Sequence, residues 1–229
     1  MFGNIIVAID GFSSTGKSTF AKLLDKELVL LYLDSGALYR GVTYFAQQKG
    51  LITKDNIIKE ELKAELLGLN LHFGSDGKLY INDTCIETQI RSMTVASQVS
   101  PIATVAYVRE YVDSILHKSA EGYGVVMDGR DIGTTVFPNA DIKIFMTASD
   151  QIRAKRRFDE LVSKGDNPNM EEVLFNLKER DYIDSHRETS PLKQAEDAFV
   201  LDNSYMTLSE EIHWAKGLIR GKLAVYETC

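Results

Sequence analysis

The chain is predicted to fold as an α/β protein built on a parallel sheet flanked by helices. Two observations predict it. Apolar runs of strand length, Ile5–Ile9, Val29–Leu33, Gly124–Met127 and Ile142–Met146, with Phe199–Leu201 as a weaker fifth, are separated by stretches of helical spacing. Strands buried on both faces need such continuous apolar runs, and strands alternating with helices imply crossover connections. The first run also leads straight into Gly11-Phe-Ser-Ser-Thr-Gly16-Lys17-Ser18, a complete G-x-x-x-x-G-K-[ST] phosphate loop between a strand and a helix.

Composition bounds the rest. With 229 residues and 44% hydrophobic content, the chain can bury one full core with small appendages. A net charge of −7 argues against a nucleic-acid partner, whose binding draws on a basic surface. Small-molecule nucleotides are the expected partners, and a monomer is the expected state. Cys85 and Cys229 are the only cysteines and lie far apart, so neither a disulfide framework nor a metal cluster is suggested, and the setting is reducing. The chain starts without a basic leader and its apolar run stops at Asp10, too short for a signal or membrane segment. A cytoplasmic location is expected. His72, His117, His186 and His213 have no metal-ligand spacing and read as structural or surface residues.

Each element follows in order. In the loop, Gly11, Phe12, Ser13, Ser14, Thr15, Gly16, Lys17, Ser18 and Thr19 are the candidate ATP-binding residues. The glycines let backbone N–H groups turn inward around phosphate oxygens, Lys17 brings a point charge to the β and γ phosphates, and the Ser18 hydroxyl can ligate Mg²⁺. Phe20, Leu23, Leu24 and Leu28 then follow helical spacing. The strand Val29–Leu33 ends in Asp34-Ser35-Gly36-Ala37-Leu38-Tyr39-Arg40, which puts a hydroxyl, a phenol and a guanidinium at the carboxyl edge of the sheet, where ligands bind in such folds. The same residues also read as a capped helix start, with Asp34 or Ser35 as N-cap and Arg40 on the solvated face. Leu69, Leu71 and Phe73 alternate, Ser75–Lys78 reads as a turn, and Leu79–Ile81 resumes as strand, so a small antiparallel insert is expected over about 69–85.

A helix is expected over Ile102–Ser119. The strand Gly124–Met127 runs into Asp128-Gly129-Arg130-Asp131-Ile132-Gly133, a second cluster of charge at a strand end, with Asp128 a candidate for a water-mediated Mg²⁺ contact. Past Ile142–Met146, the helix Gln151–Lys164 carries Arg153, Arg156 and Arg157 and precedes Gly165-Asp-Asn-Pro-Asn169, the profile of a lid hinged on loops. Arg180, Asp184 and Arg187 fall on one helical face by spacing, which fits either an anion site or a surface salt-bridge face. A last helix is expected over Thr207–Ala224. Planar guanidinium forks in an acidic chain suit a second anionic phosphate as well as the transferring one.

Taken in order, GFSSTGKST, LDSGALYR, DGRDIGT with VFP, the arginine-rich helix, and KERDYIDSHR with Ser190-Pro191-Leu192 resemble the bacterial cytidylate kinase family, over nearly the whole chain. The resemblance implies a phosphate-loop nucleoside monophosphate kinase fold: a five-stranded parallel core, a monophosphate-binding subdomain over about 36–100 enlarged by the insert, and a short lid over about 149–170, all in one unit spanning 1–229. It implies transfer of the γ-phosphoryl group of ATP to CMP or dCMP with Mg²⁺. Carried over, the CMP site comprises Ser35, Tyr39, Arg40, Ser97, Arg109, Asp128, Gly129, Arg130, Asp131, Arg180, Asp184 and Arg187. Arg40, Arg130 and Arg187 hold its phosphate, Asp184 with Arg180 accepts from the sugar hydroxyl, and Ser97, Arg109 and Asp131 face the cytosine edge. Lys17, Arg130, Arg153, Arg157 and Arg187 are the candidate catalytic residues.

The chain departs from the family pattern in two places. Phe12 and Ser14 stand where the family often has Pro and Gly, which changes backbone strain in the loop, and the Ser97 to Arg109 spacing is some three residues longer. A kinase for another small acceptor such as UMP or dTMP is the alternative. A regulatory nucleotide switch is the distant one, disfavoured because the chain has no N-K-x-D base-reading signal and such a switch has no use for an arginine-rich lid.

Overall fold

The computed structural model describes residues 4–53 and 56–226, with side chains through 222. Residues 1–3, at the start of the supposed leader-free segment, and Cys229 lie outside the described residues. The chain divides into two compact units, one of Met1–Tyr32, Gly122–His186 and Ser190–Cys229, the other of Leu33–Glu121 with Arg187–Thr189.

In the first unit, β1 (Ile6–Gly11) leads through the phosphate loop into α1 (Lys17–Leu28). A five-stranded sheet has β1 at its centre, in the order β2 (Leu31–Asp34), β6 (Val125–Gly129), β1, β7 (Ile142–Thr147), β8 (Phe199–Asp202). β6 and β7 pair parallel to β1, and β8 parallel to β7, so strand carboxyl ends share one edge. Val7, Ile9, Val126, Ile142, Ile144 and Met146 pack with Phe20 and Leu24 of α1 and Ala215 and Ile219 of α8 (Leu208–Tyr226). The strand residues that alternate with these, Ala8, Val125, Met127 and Phe145, are buried as well, so the apolar runs have both faces covered. Helices α6 (Asp150–Ser163) and α7 (Met170–His186) pair over a smaller core of Ala154, Leu161, Val173 and Leu177.

The second unit holds α2 (Ser35–Gln48), α3 (Lys59–Leu66), the antiparallel strands β3 (Leu71–Phe73), β4 (Leu79–Ile81) and β5 (Thr84–Cys85), then α4 (Met93–Ala103) and α5 (Ala106–Ala120). α2 lies close on the small sheet because residue 41 is glycine: a Cβ there would come within 2.9 Å of both Leu71 and Leu79 side chains.

Three expectations are corrected. The strand placed at Val29–Leu33 starts at Leu31, because α1 runs on to Leu28 and Val29 ends it in the left-handed conformation, φ 57°, with its N–H on the Asp25 carbonyl. The helix expected over Ile102–Ser119 is two helices: the Thr104 hydroxyl turns back onto the Pro101 carbonyl and Val105 is extended, so α4 stops and α5 starts afresh. Arg187 lies beyond α7 rather than on its face. The Leu192 N–H caps the Asp184 carbonyl at 2.8 Å and Pro191 disfavours a helical Ser190, so the chain leaves the helix after His186.

Candidate active site

The phosphate loop is shaped by its glycines. Gly11 has φ 150° at the point where β1 meets β7, and a Cβ there would lie 2.0 Å from the Met146 carbonyl oxygen. Gly16, at φ 94°, starts α1. Ser14, in a position the family often gives to glycine, takes φ 59°, so this loop carries strain of about 1 kcal/mol that a glycine would not. Lys17 is buried, and its ammonium donates to the Phe12 carbonyl at 2.6 Å and to the Thr15 hydroxyl at 3.3 Å. Burial, then the neighbouring Arg130 charge, push its pKa well below the usual lysine range.

At the start of α1, the Ser18 hydroxyl donates to Asp128 Oδ2 at 2.9 Å, and the Tyr32 phenol donates to Asp128 Oδ1 at 2.7 Å. A hydroxyl beside a buried carboxylate is a hard-oxygen pair, the donor type that suits Mg²⁺. The turn after β6 is fixed from below by Asp10, whose two carboxylate oxygens accept from the Ile132 and Gly133 N–H groups at 2.8 Å each. Burial, tempered by those two bonds, raises the Asp10 pKa to about 6. Asp131 sits buried in this turn. Arg130 donates Nε to Asp184 Oδ2 at 2.8 Å, Nη2 to the Ser13 hydroxyl at 3.0 Å and Nη1 to the Gly129 carbonyl at 3.2 Å. Burial works against its charge, but Asp184 outweighs that and raises its pKa.

The three arginines of α6 diverge. Arg153 is buried, with its guanidinium on Asp181, on Asp150 and on the carbonyls of Ser13 and Ala148. Arg156 donates to the Thr15 carbonyl at 3.1 Å and to Asn203. Arg157 pairs with Glu160 at 2.8 Å. Arg156, Arg157 and Glu160 line a cleft of about 410 Å³ with Thr15, Asn203 and Glu211, directly beside the phosphate loop.

In the second unit, Asp34 caps α2 by accepting from the Ala37 N–H at 2.8 Å, and its carboxylate also receives Arg40 at 2.9 Å and Arg91 at 3.1 Å. Burial opposes its charge, but Arg40 and Arg91 prevail and hold its pKa below the ordinary value. Ser35 is buried beside it. Arg109 of α5 stacks its guanidinium 5.4 Å from the Tyr39 ring centroid and donates to the Ala103 carbonyl at 3.2 Å. Ser97 does not fit the role expected of it: it is exposed and its hydroxyl returns to the Thr94 carbonyl of its own helix at 2.9 Å. Ser100, one turn on, is the buried serine of α4. Arg187 is also buried in this unit, and Arg180 of α7 is half-buried in the first.

A family model for cytidylate kinase matches residues 7–219. The chain belongs to the cytidylate kinase family. It is 52% identical over 212 residues to the cytidylate kinase of Flavobacterium johnsoniae, covering 90% of this chain and 92% of that protein. It is 50% identical over 215 residues to that of Parabacteroides distasonis, covering 92% and 94%. An uncharacterized protein from Eubacterium ventriosum, 12% identical with a TM-score of 0.51 and coverage of 95% of this chain and 99% of that one, shares the fold.

Sequence reasoning missed Tyr32, Asp181, Asn203 and Glu211. Asp181 stood inside a quoted motif without a role. The others carry no local signal, since each reaches its partner only across the fold. Among the described residues there is no group of three or more His, Cys, Asp or Glu placed to hold a metal, and no helix long and apolar enough to cross a membrane.

Proposed function

We propose that this protein transfers the γ-phosphoryl group of ATP to CMP or dCMP, giving ADP and CDP or dCDP. The family match over residues 7–219, together with a phosphate loop whose lysine and serine sit beside Asp128 and Arg130, carries the reading. The acceptor is a phosphate oxygen, largely ionised near pH 7 because its second pKa is about 6, so no strong general base is needed. Catalysis is alignment plus neutralisation of charge on the transferring group.

Lys17 and the loop N–H groups hold the donor phosphates, and Arg156 and Arg157 flank the cleft that takes the donor nucleoside. Ser18, with Asp128 through water, would hold Mg²⁺, which neutralises phosphate charge when bound. In the first unit Arg130 meets the acceptor phosphate, Asp131 the base, and Asp184 with Arg180 the sugar. In the second, Arg40 and Arg187 serve the phosphate and Arg109 and Ser100 the base, Ser100 replacing Ser97 on grounds of burial. The lid, over about 149–170, closes through the loop that follows α6 and excludes water from the transfer, while the buried Arg153 end of α6 stays on the phosphate loop. A nucleotide kinase acting on small molecules as a cytoplasmic monomer accords with the acidic composition and the exposed Cys85 thiol.

The test is ADP formation from ATP with a panel of acceptors. Turnover is expected with CMP and dCMP and to be near background without an acceptor. Acceptor-independent hydrolysis at the same rate contradicts the reading.

A further inference from the structure

The Ser13 peptide of the phosphate loop is gripped on three sides. Its N–H donates to Asp181 Oδ1 at 3.1 Å, its carbonyl accepts from Arg153 Nη1 at 3.1 Å, and its hydroxyl accepts from Arg130 Nη2 at 3.0 Å. Arg153 closes the ring by bonding Asp181 Oδ2 through the same nitrogen. The rest of that guanidinium is also engaged: Nε donates to the Ala148 carbonyl at 3.1 Å, Nη2 to Asp150 at 2.6 Å, and Cζ lies over the Phe12 ring, 5.3 Å from its centroid. Phe12 in turn meets Phe145 edge to face. A buried, charge-paired guanidinium with carbonyl partners on both sides is a scaffold group, because leaving these partners would strand a carboxylate and two carbonyls in the interior. In the sequence, Arg153 reads instead as a lid arginine and, by family resemblance, as a candidate catalytic residue.

Asp181 and Asp184 sit three residues apart on α7, so they share one helical face. One grips Ser13 and the other grips Arg130, which itself reaches Ser13. We infer that Asp181 is a positioning residue which, with Arg153, clamps the Ser13 peptide and so sets the phosphate loop for the donor, while the same face of α7 keeps Arg130 in register with that loop. The inference rests on the reading of the loop as the donor-phosphate site. A loop freed from the clamp presents its N–H groups in many arrangements, and a nucleotide must then order them as it binds.

ADP decides between a clamp and a transition-state arginine, because it lacks the γ-phosphoryl group. Titration of Mg²⁺ and a fluorescent ADP derivative into wild type, Asp181→Ala, Arg153→Ala and the double variant, with a thermal melt of each, gives the comparison. Each single variant is expected to weaken ADP binding about tenfold, and the double variant no more than the worse single, since both remove one unit. Asp181→Asn and Arg153→Lys, close in size to the originals, give the same readout if the alanine variants do not fold, with weakening of about threefold or more expected. Wild-type ADP affinity in the single variants with only kcat lowered, or losses that add in the double variant, overturns the clamp. A wild type that does not bind ADP overturns the donor reading and the clamp with it.

Discussion

Lys17 illustrates how one side chain is prepared for phosphate. Its ammonium is buried against the loop's own Phe12 carbonyl, and burial makes the charged form costly until an anion arrives. Lys17→Ala is expected to keep the fold and lower turnover by about a thousandfold or more, the scale of losing one charge contact in phosphoryl transfer. Circular dichroism with a coupled kinase assay checks it, and a variant that keeps a tenth of the wild-type rate contradicts the role. Asp10 carries the opposite burden beneath the next turn. Its native pKa of about 6 lies above the ordinary aspartate value of 3.8, so the neutral form is favoured by folding. Its contribution to stability is therefore full below about pH 4 and lost as pH rises toward 6, amounting to at most about 3 kcal/mol. Denaturant unfolding of wild type and Asp10→Asn at pH 4 and pH 7 should show a stability difference that shrinks at the higher pH. A difference that does not change with pH means that Asp10 ionises normally.

Among the elements, α1 ends awkwardly and α7 works hardest. Val29 closes α1 at φ 57° and is 82% exposed, so a β-branched residue bears left-handed strain with little packing return. Val29→Gly should relieve about 1–2 kcal/mol of that strain, less what glycine adds to the freedom of the unfolded chain, for a net gain of about 0.5–1 kcal/mol. Thermal unfolding should rise by a few degrees, and an unchanged or lower midpoint would show that Val29 is not strained there. α7 turns its buried Asp181 and Asp184 toward the phosphate loop and Arg130 while exposing Tyr182 and Phe175 on other sides. This explains how its polar sequence remains a stable helix: Val173 and Leu177 give it only a short apolar seam with α6, and buried ion pairs supply the rest of its attachment.

At the scale of the whole molecule, what is local in the chain was readable and what is long-range was not. The phosphate loop, the sheet and the small insert follow from spacing, because apolar period and glycine placement act over a few residues. The break at Thr104 was missed because a hydroxyl turning onto the Pro101 carbonyl competes with helix without changing the apolar pattern. The partners of Arg153 could not be read from spacing, because its carboxylate and the Ser13 carbonyl lie far away in the chain; Ser13 and Asp181 are separated by 168 positions. Base choice depends on such assembly too, and it tests the account most directly. Cytosine offers an amino donor where uracil has a carbonyl acceptor, and the buried Asp131, placed at the base as proposed, would welcome the first and repel the second. The deciding measurement is kcat/KM for CMP and for UMP on wild type and on Asp131→Asn. The account predicts that wild type favours CMP by about 10⁴ and that the Asn variant loses much of that ratio; equal use of UMP by wild type, or unchanged discrimination in the variant, contradicts it.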